Sequence, residues 1–280
     1  MSLKAIGARL LAWRVHQKTL KWAHNPVVAQ RRTFDQLIEK GRKTGFGKEH
    51  GFSEIREYSD FASRVPIRDY ESLKPYVERI FNGEENVLWP GKPLYFAKTS
   101  GTTSGAKYIP ITRDSIKEQV RASRNAILNY IYKTGNVRFV NGKMIFLQGS
   151  PILDEKKGIK VGRLSGISAH YVPGYLQKNR LPSWETNCIE DWETKVDRVV
   201  EETISEDMTV IAGIPSWVQM YFEKLVDREN KPISIIFPNI QLFIYGGVNY
   251  EPYRSKFESL IGRKVDSIEL FPASEGFFAY

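Results

Sequence analysis

The apolar positions of this chain recur in two spacings, one typical of helices and the other of strands. Apolar residues three or four apart predict amphipathic helices, and short apolar runs between turn residues predict buried strands. The predicted helices cover about residues 26–41, 67–82, 116–132, 192–204, 215–229 and 253–262. The predicted strands are "PLYFA", "KYIPI", "KMIFLQG", "MTVIAG", "IQLFIYGG" and "VDSIELF". Strands that alternate with helices in this way predict an α/β domain with largely parallel sheets.

End signals define some of these elements more closely. Asp69 is placed to cap the helix that follows Pro66, and Gly83 lies just beyond its end. Residues 42–51, "RKTGFGKEHG", are rich in glycine and charge and are predicted to form a loop. Residues 151–166, "PILDEKKGIKVGRLSG", predict an exposed hairpin.

The first helix admits two interpretations. Leu3, Ile6, Leu10 and Trp13 form one apolar stripe, and basic residues occupy the other positions. A transit peptide or a membrane-surface helix fits this pattern, whereas a signal peptide does not, because an uninterrupted apolar segment and a cleavage site are missing. We favour a helix that packs its stripe on the domain, since Pro26 and a second amphipathic helix follow directly. Membrane contact is the less favoured alternative.

Composition limits the class of protein. With 280 residues, 41% of them hydrophobic, the chain can bury one large core or two modest ones. A single cysteine, Cys188, excludes a disulfide framework and favours a reducing, cytoplasmic location. No apolar run approaches the length of a membrane span. The net charge of +9 is concentrated before Asp35, the first acidic residue. The basic residues of that segment are Lys4, Arg9, Arg14, Lys18, Lys21, Arg31 and Arg32.

The segment "TSGTTSGAK" carries the clearest chemical signal. From Thr99 to Gly105 every side chain is a hydroxyl or is absent, and Lys107 follows. Glycines let backbone N–H groups approach a phosphate, hydroxyls add donors, and the lysine adds a positive charge. The spacing differs from that of the P-loop and of the dinucleotide fingerprint. Together with 245–250 and 272–276, this loop follows a predicted strand, and we expect the three segments to converge on one cleft.

These motifs resemble those of adenylate-forming enzymes, the superfamily of acyl-CoA synthetases, luciferases and peptide-synthetase adenylation domains. "TSGTTSGAK" resembles their phosphate-binding signature, "AGIPSW" a strand followed by proline, "YGGVNYEP" the adenine-contacting loop, and "LFPASEG" the motif that ends in Ser/Thr-Glu. The finer resemblance is to the auxin-responsive family of acyl acid–amido synthetases, including its bacterial members. "RVPIRDYESLKPYVERIFNGEENVLWPGKP" resembles the segment before that family's phosphate loop. The resemblance extends over essentially all 280 residues.

The resemblance implies ATP-dependent activation of a carboxylic acid to an acyl-adenylate, followed by transfer to an amine such as an amino acid. It implies ATP and Mg²⁺ as cofactors. The implied phosphate-binding residues are Thr99, Ser100, Gly101, Thr102, Thr103 and Gly105, and Lys107 is expected to assist. Gly246, Gly247, Val248 and Phe271 are implied to contact adenine. Ser274 is implied to meet the α-phosphate, and Glu275 to ligate Mg²⁺.

Two departures from the family pattern qualify this resemblance. Plant members have one more residue before the lysine, so Lys107 aligns through the following "YIP". The family also continues to a ribose-binding Asp motif and a small mobile C-terminal domain. We therefore expect residues 1–280 to form a partial N-terminal adenylate-forming domain of multilayered αβαβα architecture, incomplete at its C-terminus. The chain alone is expected to bind ATP weakly and to be catalytically inert.

Two alternatives to amide synthesis remain open. An adenylating enzyme that transfers the acyl group to coenzyme A or a protein thiol would share the first half-reaction. A basic module for nucleic acid or membrane would use the N-terminal charge, but Trp13 and Trp22 lie on or near the apolar stripe rather than among the basic residues, so no nucleic-acid partner is expected. The four histidines and Cys188 lack the spacing of a zinc site.

Overall fold

The computed structural model describes residues 2–99 and 105–280, apart from the side chain of Tyr175. The chain divides into two compact units. The first contains the chain up to His16, Glu118–Ile152 and Leu164–Tyr280. The second contains Gln17–Lys117 and Leu153–Arg163. Each unit is built around its own sheet, so the fold is mixed α/β as predicted.

The helices alternate with strands through most of the chain. They are α1 (Leu3–Ala23), α2 (Pro26–Gly41), α3 (Gly45–Glu49), α4 (Tyr58–Arg64), α5 (Tyr70–Phe81), α6 (Arg113–Thr134), α7 (Leu164–Ala169), α8 (Gly174–Gln177), α9 (Trp184–Cys188), α10 (Trp192–Thr203), α11 (Pro215–Glu229), α12 (Ile233–Ile236) and α13 (Glu251–Ile261). Short 3₁₀ turns cover Phe52–Glu54 and Arg138–Asn141. Among the described residues, no helix is long and apolar enough to cross a bilayer.

The strands form two sheets. They are β1 (Tyr95–Thr99), β2 (Lys107–Ile111), β3 (Lys143–Leu147), β4 (Asp154–Lys156), β5 (Ile159–Gly162), β6 (Arg180–Leu181), β7 (Met208–Gly213), β8 (Leu242–Gly246), β9 (Asp266–Ala273) and β10 (Gly276–Ala279). The larger sheet, in the first unit, has the order β10-β9-β8-β7-β3-β6 and is parallel from β9 to β6. The smaller sheet, in the second unit, has the order β2-β1-β5-β4.

The larger sheet is buried on both faces. Ile211 of β7 and Phe243 of β8 pack into one cluster with α10, α11 and α13. Their neighbours Val210 and Leu242 point the other way and pack with α1 and α6. Because successive strand residues point to opposite faces, continuous apolar runs such as "MTVIAG" are expected in a sheet with helices on both sides.

The helix ends confirm several sequence-based predictions. Helix α5 begins at Tyr70, and the Asp69 carboxylate accepts a hydrogen bond from the Ser72 amide at 2.9 Å. Helices α2 and α11 begin at Pro26 and Pro215. Proline at the first helical position lacks only an N–H that would have no partner there, so these starts follow from local chemistry.

The loop predicted over 42–51 is partly wrong. Residues Gly45–Glu49 form the short helix α3, because the Thr44 side chain caps the Gly47 amide at 2.9 Å. The Phe46 amide also donates to the Val87 carbonyl at 2.9 Å. The Thr44 cap could have been predicted from the sequence, but the glycines of this segment favoured the prediction of a loop. The contact with Val87 depends on the tertiary structure.

The predicted packing of α1 is also wrong in one respect. The helix does pack on the first unit, but it buries Ala5, Ala12 and Val15. Its apolar stripe, which includes Leu3 and Leu10, faces outward. The small side chains on the buried face of α1 share one cluster with Leu128 and Ile131 of α6. Their small size lets the backbone of α1 lie close to α6.

The hairpin predicted over 151–166 forms, with β4 and β5 paired antiparallel. It is not fully exposed, however. Strand β5 pairs in parallel with β1, and Ile159 and Val161 are buried against Phe96 and Val77. The alternation of Ile159, Lys160 and Val161 was the available signal for a strand with one buried face.

Candidate functional site

The predicted phosphate loop joins two paired strands of the smaller sheet. Thr99 at the end of β1 is paired with Lys107 at the start of β2. The loop therefore connects the two strands of an antiparallel hairpin. Ser100, Gly101, Thr102 and Thr103 lie outside the described residues. Their assignment to ATP phosphates stays a prediction, as does that of Thr99.

Helix α5 supports the base of this loop. The Lys107 ammonium lies 5.7 Å from the centre of the Tyr70 ring, and the Tyr70 hydroxyl accepts a hydrogen bond from the Tyr108 amide at 2.8 Å. Hydrogen bonds from the Ser72 hydroxyl and amide, with a smaller contribution from the charge of Lys107, lower the pKa of Asp69. Tyr70 thus contacts both Lys107 and Tyr108 at the foot of the loop, a role that sequence reasoning missed.

Aromatic packing stiffens the hairpin below the loop. The Phe96 ring stacks on Phe81 with centroids 4.0 Å apart, and Tyr108 meets Phe81 edge-on at 5.2 Å. The Lys156 ammonium lies 4.7 Å above the Tyr108 ring and donates to its hydroxyl at 3.1 Å. Gly105 has a φ of +83°, a left-handed conformation that glycine adopts readily. This conformation suits a turn that returns the chain to β2.

The predicted adenine loop follows β8 in the first unit. A Cβ atom on Gly246 would clash with the Leu270 carbonyl oxygen, so only glycine fits there. Gly247 has a φ of +87°, a conformation that favours glycine. Val248 is exposed, and Tyr250, which follows, is buried in the core. Burial raises the pKa of Tyr250 to about 12. The loop therefore leaves Val248 accessible while Tyr250 holds its far end.

The Ser274–Glu275 segment is a tight turn between β9 and β10. Pro272 and Ala273, predicted to lie in a loop, belong to β9, and Gly276 pairs with Ala273 across the turn. Ser274 is half-buried and Glu275 is exposed. Within the described part of the chain, the Glu275 carboxylate makes no hydrogen bond or ion pair, so both of its oxygens are available to a ligand.

Helix α6 holds the end of β9. The buried Gln119 side chain donates from Nε2 to the Ala273 carbonyl oxygen at 3.1 Å. At the other end of the strand, the Tyr130 hydroxyl donates to the Asp266 carboxylate at 2.6 Å. These two contacts fix both ends of β9 and hence the position of the turn. Sequence reasoning did not find Gln119, because nothing local distinguishes it from a surface glutamine.

Phe271 presents an accessible ring near this turn. Its side chain is 58% exposed and contacts Phe278 of β10, with centroids 5.3 Å apart. Leu270, on the opposite face of β9, packs against the core. An exposed aromatic face beside a polar turn is compatible with the predicted contact to adenine.

The larger sheet brings two of the three predicted segments to one edge. Strands β8 and β9 are parallel, and Gly246 is paired with Leu270. Four residues further along the chain, Ser274 begins the turn, about 13 Å from Leu270 at strand spacing. The Gly246–Val248 loop and the Ser274–Glu275 turn therefore lie beyond the carboxyl ends of neighbouring strands, where α/β sheets bind ligands. Convergence with the phosphate loop of the second unit stays a prediction.

Buried polar groups also gather at the carboxyl end of β3. The buried Lys195 side chain of α10 donates from Nζ to the Gln148 carbonyl oxygen at 3.2 Å, and burial lowers the pKa of Lys195. The Gln148 Nε2 atom is buried and has no hydrogen-bond partner among the described residues. Sequence reasoning missed this pair, because a lysine within "WETKVDRVV" is typical of a solvated helix face.

The His170 side chain, which follows helix α7, makes structural contacts. Its Nε2 atom donates to the Pro151 carbonyl oxygen at 3.0 Å, and its ring lies edge-on to Trp184. Among the described residues, no cluster of three or more His, Cys, Asp or Glu side chains is arranged to hold a metal ion. A cation here would need ligands from a substrate in addition to Glu275.

Comparison with protein families assigns the chain. Residues 15–180 match the model of the GH3 family N-terminal domain, more than half of the chain. The chain belongs to the GH3 family. The matched range contains both strands that flank the phosphate loop and helix α5 with Tyr70.

Curated relatives of this GH3 chain include plant enzymes. The jasmonoyl–L-amino acid synthetase JAR4 of Nicotiana attenuata is 25% identical over 136 residues, which are 48% of this chain and 23% of that protein. The chain thus covers much less than the whole length of this relative.

Solved structures share the fold. The acyl acid amido synthetase GH3.15 matches with a TM-score of 0.69 at 12% identity, over 89% of this chain and 54% of that one. A 2-hydroxyisobutyryl-CoA ligase, solved with 2-HIB-AMP and CoA, matches with a TM-score of 0.58 at 13% identity, over 89% of this chain and 49% of that one. The GH3 chain spans about half the length of these solved relatives, and the likeness shows that it shares their fold.

Proposed function

We propose that this chain carries the ATP-binding part of an acyl acid–amido synthetase. In the reaction, a carboxylate oxygen attacks the α-phosphorus of ATP, pyrophosphate leaves, and an acyl-adenylate forms. An amine then attacks the acyl carbon, AMP leaves, the amine loses a proton, and an amide results. The observation that carries the proposal is the family match over 15–180, which includes the hydroxyl- and glycine-rich loop. The name of the relative JAR4, an amino acid synthetase, supports an amino acid as the amine.

The proposed nucleotide contacts follow the chemistry of each segment. The loop from Thr99 to Gly105 and the Lys107 ammonium would hold the β- and γ-phosphates. Gly246–Val248 and Phe271 would contact adenine, and Ser274 would donate to the α-phosphate. Charge accumulates on the phosphates as pyrophosphate leaves, so fixed donors and a cation stabilise the transition state.

The residues present fit a magnesium ion that is held mainly by substrate. Glu275 offers an exposed carboxylate without a protein partner in the described residues, whereas a cage of several protein carboxylates is not found among them. Mg²⁺ commonly binds through one or two carboxylates together with phosphate oxygens. Bound there, the ion would neutralise charge on the phosphates. Glu275 would hold it at the end of β9.

Nucleotide binding is testable with this chain. We expect Mg²⁺–ATP to raise its melting temperature, and Glu275→Gln to reduce the part of the shift that requires Mg²⁺. Glu258→Gln, which changes an exposed carboxylate on α13, is the matched control and is expected to keep the full shift. If Glu275→Gln and Glu258→Gln behave alike, Glu275 is not the metal ligand. If ATP does not raise the melting temperature of the original chain or of either variant, the proposed ATP site is wrong.

Catalysis is tested with a longer form of the protein that covers the whole length of its relatives. Carboxylate-dependent exchange of pyrophosphate into ATP should fall by about 10²–10³ in Glu275→Ala, the usual cost of losing one preorganised electrostatic contact. Exchange at the original rate would remove Glu275 from the site.

A thiol acceptor is the second candidate, and the structural likeness to a CoA ligase favours testing it. The acceptor is identified by supplying amino acids and coenzyme A together with ATP and a set of carboxylic acids. Mass spectrometry is expected to find amide products. Thioester as the sole product would establish the alternative.

A further inference from the structure

The outward face of helix α1 exposes a row of large apolar side chains. Leu3 is 89% exposed, Ile6 49%, Leu10 51% and Trp13 52%. They recur every three or four residues and therefore lie on one side of the helix. Large apolar side chains that stand together on a surface mark an interaction site more often than single ones do. We call these four residues the apolar row.

Packing prevents α1 from turning this row into the core. Arg9 donates from Nη2 to the Gly135 carbonyl oxygen at 2.9 Å, and the His16 ring stacks on Tyr132 with centroids 3.7 Å apart. Ala5 and Ala12, on the face opposite the row, are 3% and 1% exposed. A rotation that buried Leu10 would break these contacts and leave Ala5 and Ala12 in water.

The charge around the apolar row has one sign. Lys4, Arg9 and Arg14 accompany it, and the same helix continues with Lys18 and Lys21. The first acidic residue of the chain is Asp35. None of the α1 lysines and arginines forms an ion pair within the part of the chain that the structure describes. An apolar row flanked by basic residues that are not neutralised by acidic partners is the arrangement by which helices lie in the surface of an anionic bilayer.

We propose that the outward face of α1 docks the protein on an anionic lipid surface. The apolar row would enter the boundary between headgroups and acyl chains, and the basic side chains would meet lipid phosphates. The four side chains follow one another along one side of the helix, which suits contact with a flat surface. Trp13 suits this boundary because its ring is apolar and its N–H is polar.

Charge disfavours a second copy of the chain as the occupant. Two α1 helices would bring like charges together, and the chain as a whole carries a net charge of +9. An anionic bilayer instead offers a negative potential over its whole surface. This binding does not involve ATP, so it stands or falls independently of the proposed enzymatic function.

Vesicle sedimentation tests the proposal with the intact chain and no nucleotide. We expect binding to phosphatidylcholine vesicles that contain phosphatidylglycerol and little binding to phosphatidylcholine alone. Salt should weaken the binding because it screens the basic side chains. Tryptophan fluorescence should shift to shorter wavelength on binding as Trp13 leaves water. The double variant Leu10→Glu with Trp13→Glu should bind about tenfold or more weakly, since two apolar contacts are lost.

The matched control is Ile235→Glu. Ile235 is 60% exposed and lies on α12 in the same unit, so this variant adds negative charge and removes an exposed apolar side chain elsewhere. It should bind vesicles as the original chain does. Circular dichroism and the melting temperature verify that all variants remain folded.

Three results would overturn the proposal. One is absence of binding to anionic vesicles, and another is equal loss of binding in the control and in the double variant. The third is self-association of the original chain in light scattering that Leu10→Glu with Trp13→Glu abolishes, since the row would then be an interface between copies. A reversed-charge variant, Lys4→Glu with Arg14→Glu, should lose anionic selectivity if the basic residues act as proposed.

Discussion

At the scale of single residues, the larger sheet carries a buried lysine side chain at the carboxyl end of β3. The Lys195 side chain is 3% exposed and donates to the Gln148 carbonyl oxygen. Such burial disfavours the charged form of a lysine, which is the main reason why its pKa is lowered. Side chains with perturbed pKa values are more frequent at functional sites than elsewhere.

Lys195→Met should remove the energetic cost of the buried charge. Near neutral pH we expect the free energy of unfolding to change by about 1 kcal/mol or less, because loss of the hydrogen bond to the Gln148 carbonyl oxygen offsets removal of the buried charge. The folded-state pKa lies below the ordinary value of 10.5, so between these two values the unfolded chain binds more protons than the folded one. The free energy of unfolding of the original chain is then expected to rise relative to that of Lys195→Met as pH rises through this window.

Urea unfolding of both forms at a series of alkaline pH values measures this difference. Lys231→Met, which changes an exposed lysine of the same unit, is the control. Its free energy of unfolding should differ from that of the original chain by the same amount at every pH. A difference for Lys195→Met that does not vary with pH would contradict the argument.

At the scale of elements, α6 and β9 run antiparallel and contact each other at both ends. Gln119 holds the carbonyl oxygen of Ala273, and Tyr130 holds the carboxylate of Asp266. Burial, and then the hydrogen bond to Asp266, raise the pKa of Tyr130 to about 12. The helix thereby sets where β9 ends and the Ser274–Glu275 turn begins.

Gln119→Ala should loosen this turn. Loss of the buried hydrogen bond leaves the Ala273 carbonyl oxygen without its side-chain partner, and we expect a decrease of about 1–2 kcal/mol in the free energy of unfolding. Hydrogen exchange should accelerate at residues 274–276 more than in β7 or β8. Gln219→Ala on α11, where the amide contacts Glu223 on the same helix, is the control and should leave the turn unchanged. Equal exchange in the two variants would show that Gln119 does not hold the turn.

Strand β10 forms one edge of the larger sheet in the described chain and exposes aromatic rings. Phe278 is 62% exposed, and it lies beside Phe271. Apolar edge strands promote association between chains. We expect the 280-residue chain to aggregate at high concentration, and Phe278→Lys to raise its solubility, as measured by light scattering. Ile67→Lys replaces an accessible apolar residue of the other unit and should have little effect. Aggregation that Phe278→Lys leaves unchanged would exclude β10 as its cause.

At the scale of the whole molecule, the chain has separate cores in its two units. Phe96 of the smaller sheet is fully buried with Val77 and Ile80. Phe257 is fully buried in the cluster of the larger sheet. Each unit therefore has its own source of stability.

Truncation of either phenylalanine should affect its own unit most. Phe96→Ala and Phe257→Ala should each cost about 3–5 kcal/mol in the free energy of unfolding, since both leave a cavity in a packed core. Hydrogen exchange measured by mass spectrometry should show loss of protection in β1 and β2 for Phe96→Ala, and in β7 and β8 for Phe257→Ala. Uniform loss throughout the chain in both variants would mean that the two units unfold as one.

Many of the local elements could be predicted from the amino-acid sequence. Helix starts at Pro26 and Pro215 and the Asp69 cap depend on atoms within three residues, so they are evident in the chain itself. The density of hydroxyls and glycines before Lys107 predicted a phosphate loop, and that assignment stays a prediction. The strand positions followed from apolar runs, because a sheet buried on both faces needs them.

Long-range packing, by contrast, selected the buried face of α1, the sheet that each strand joins, and the side chains that hold the turn at Glu275. Arg9 meets Gly135 across 126 positions of sequence, and Gln119 meets Ala273 across 154. β5 adds to β1 although the chain passes through α6 and β3 between them. Periodicity reports only on neighbours within a few residues, whereas these choices depend on competition among distant surfaces for burial. For α1, that competition favoured close packing of small alanines and left the larger apolar side chains outside.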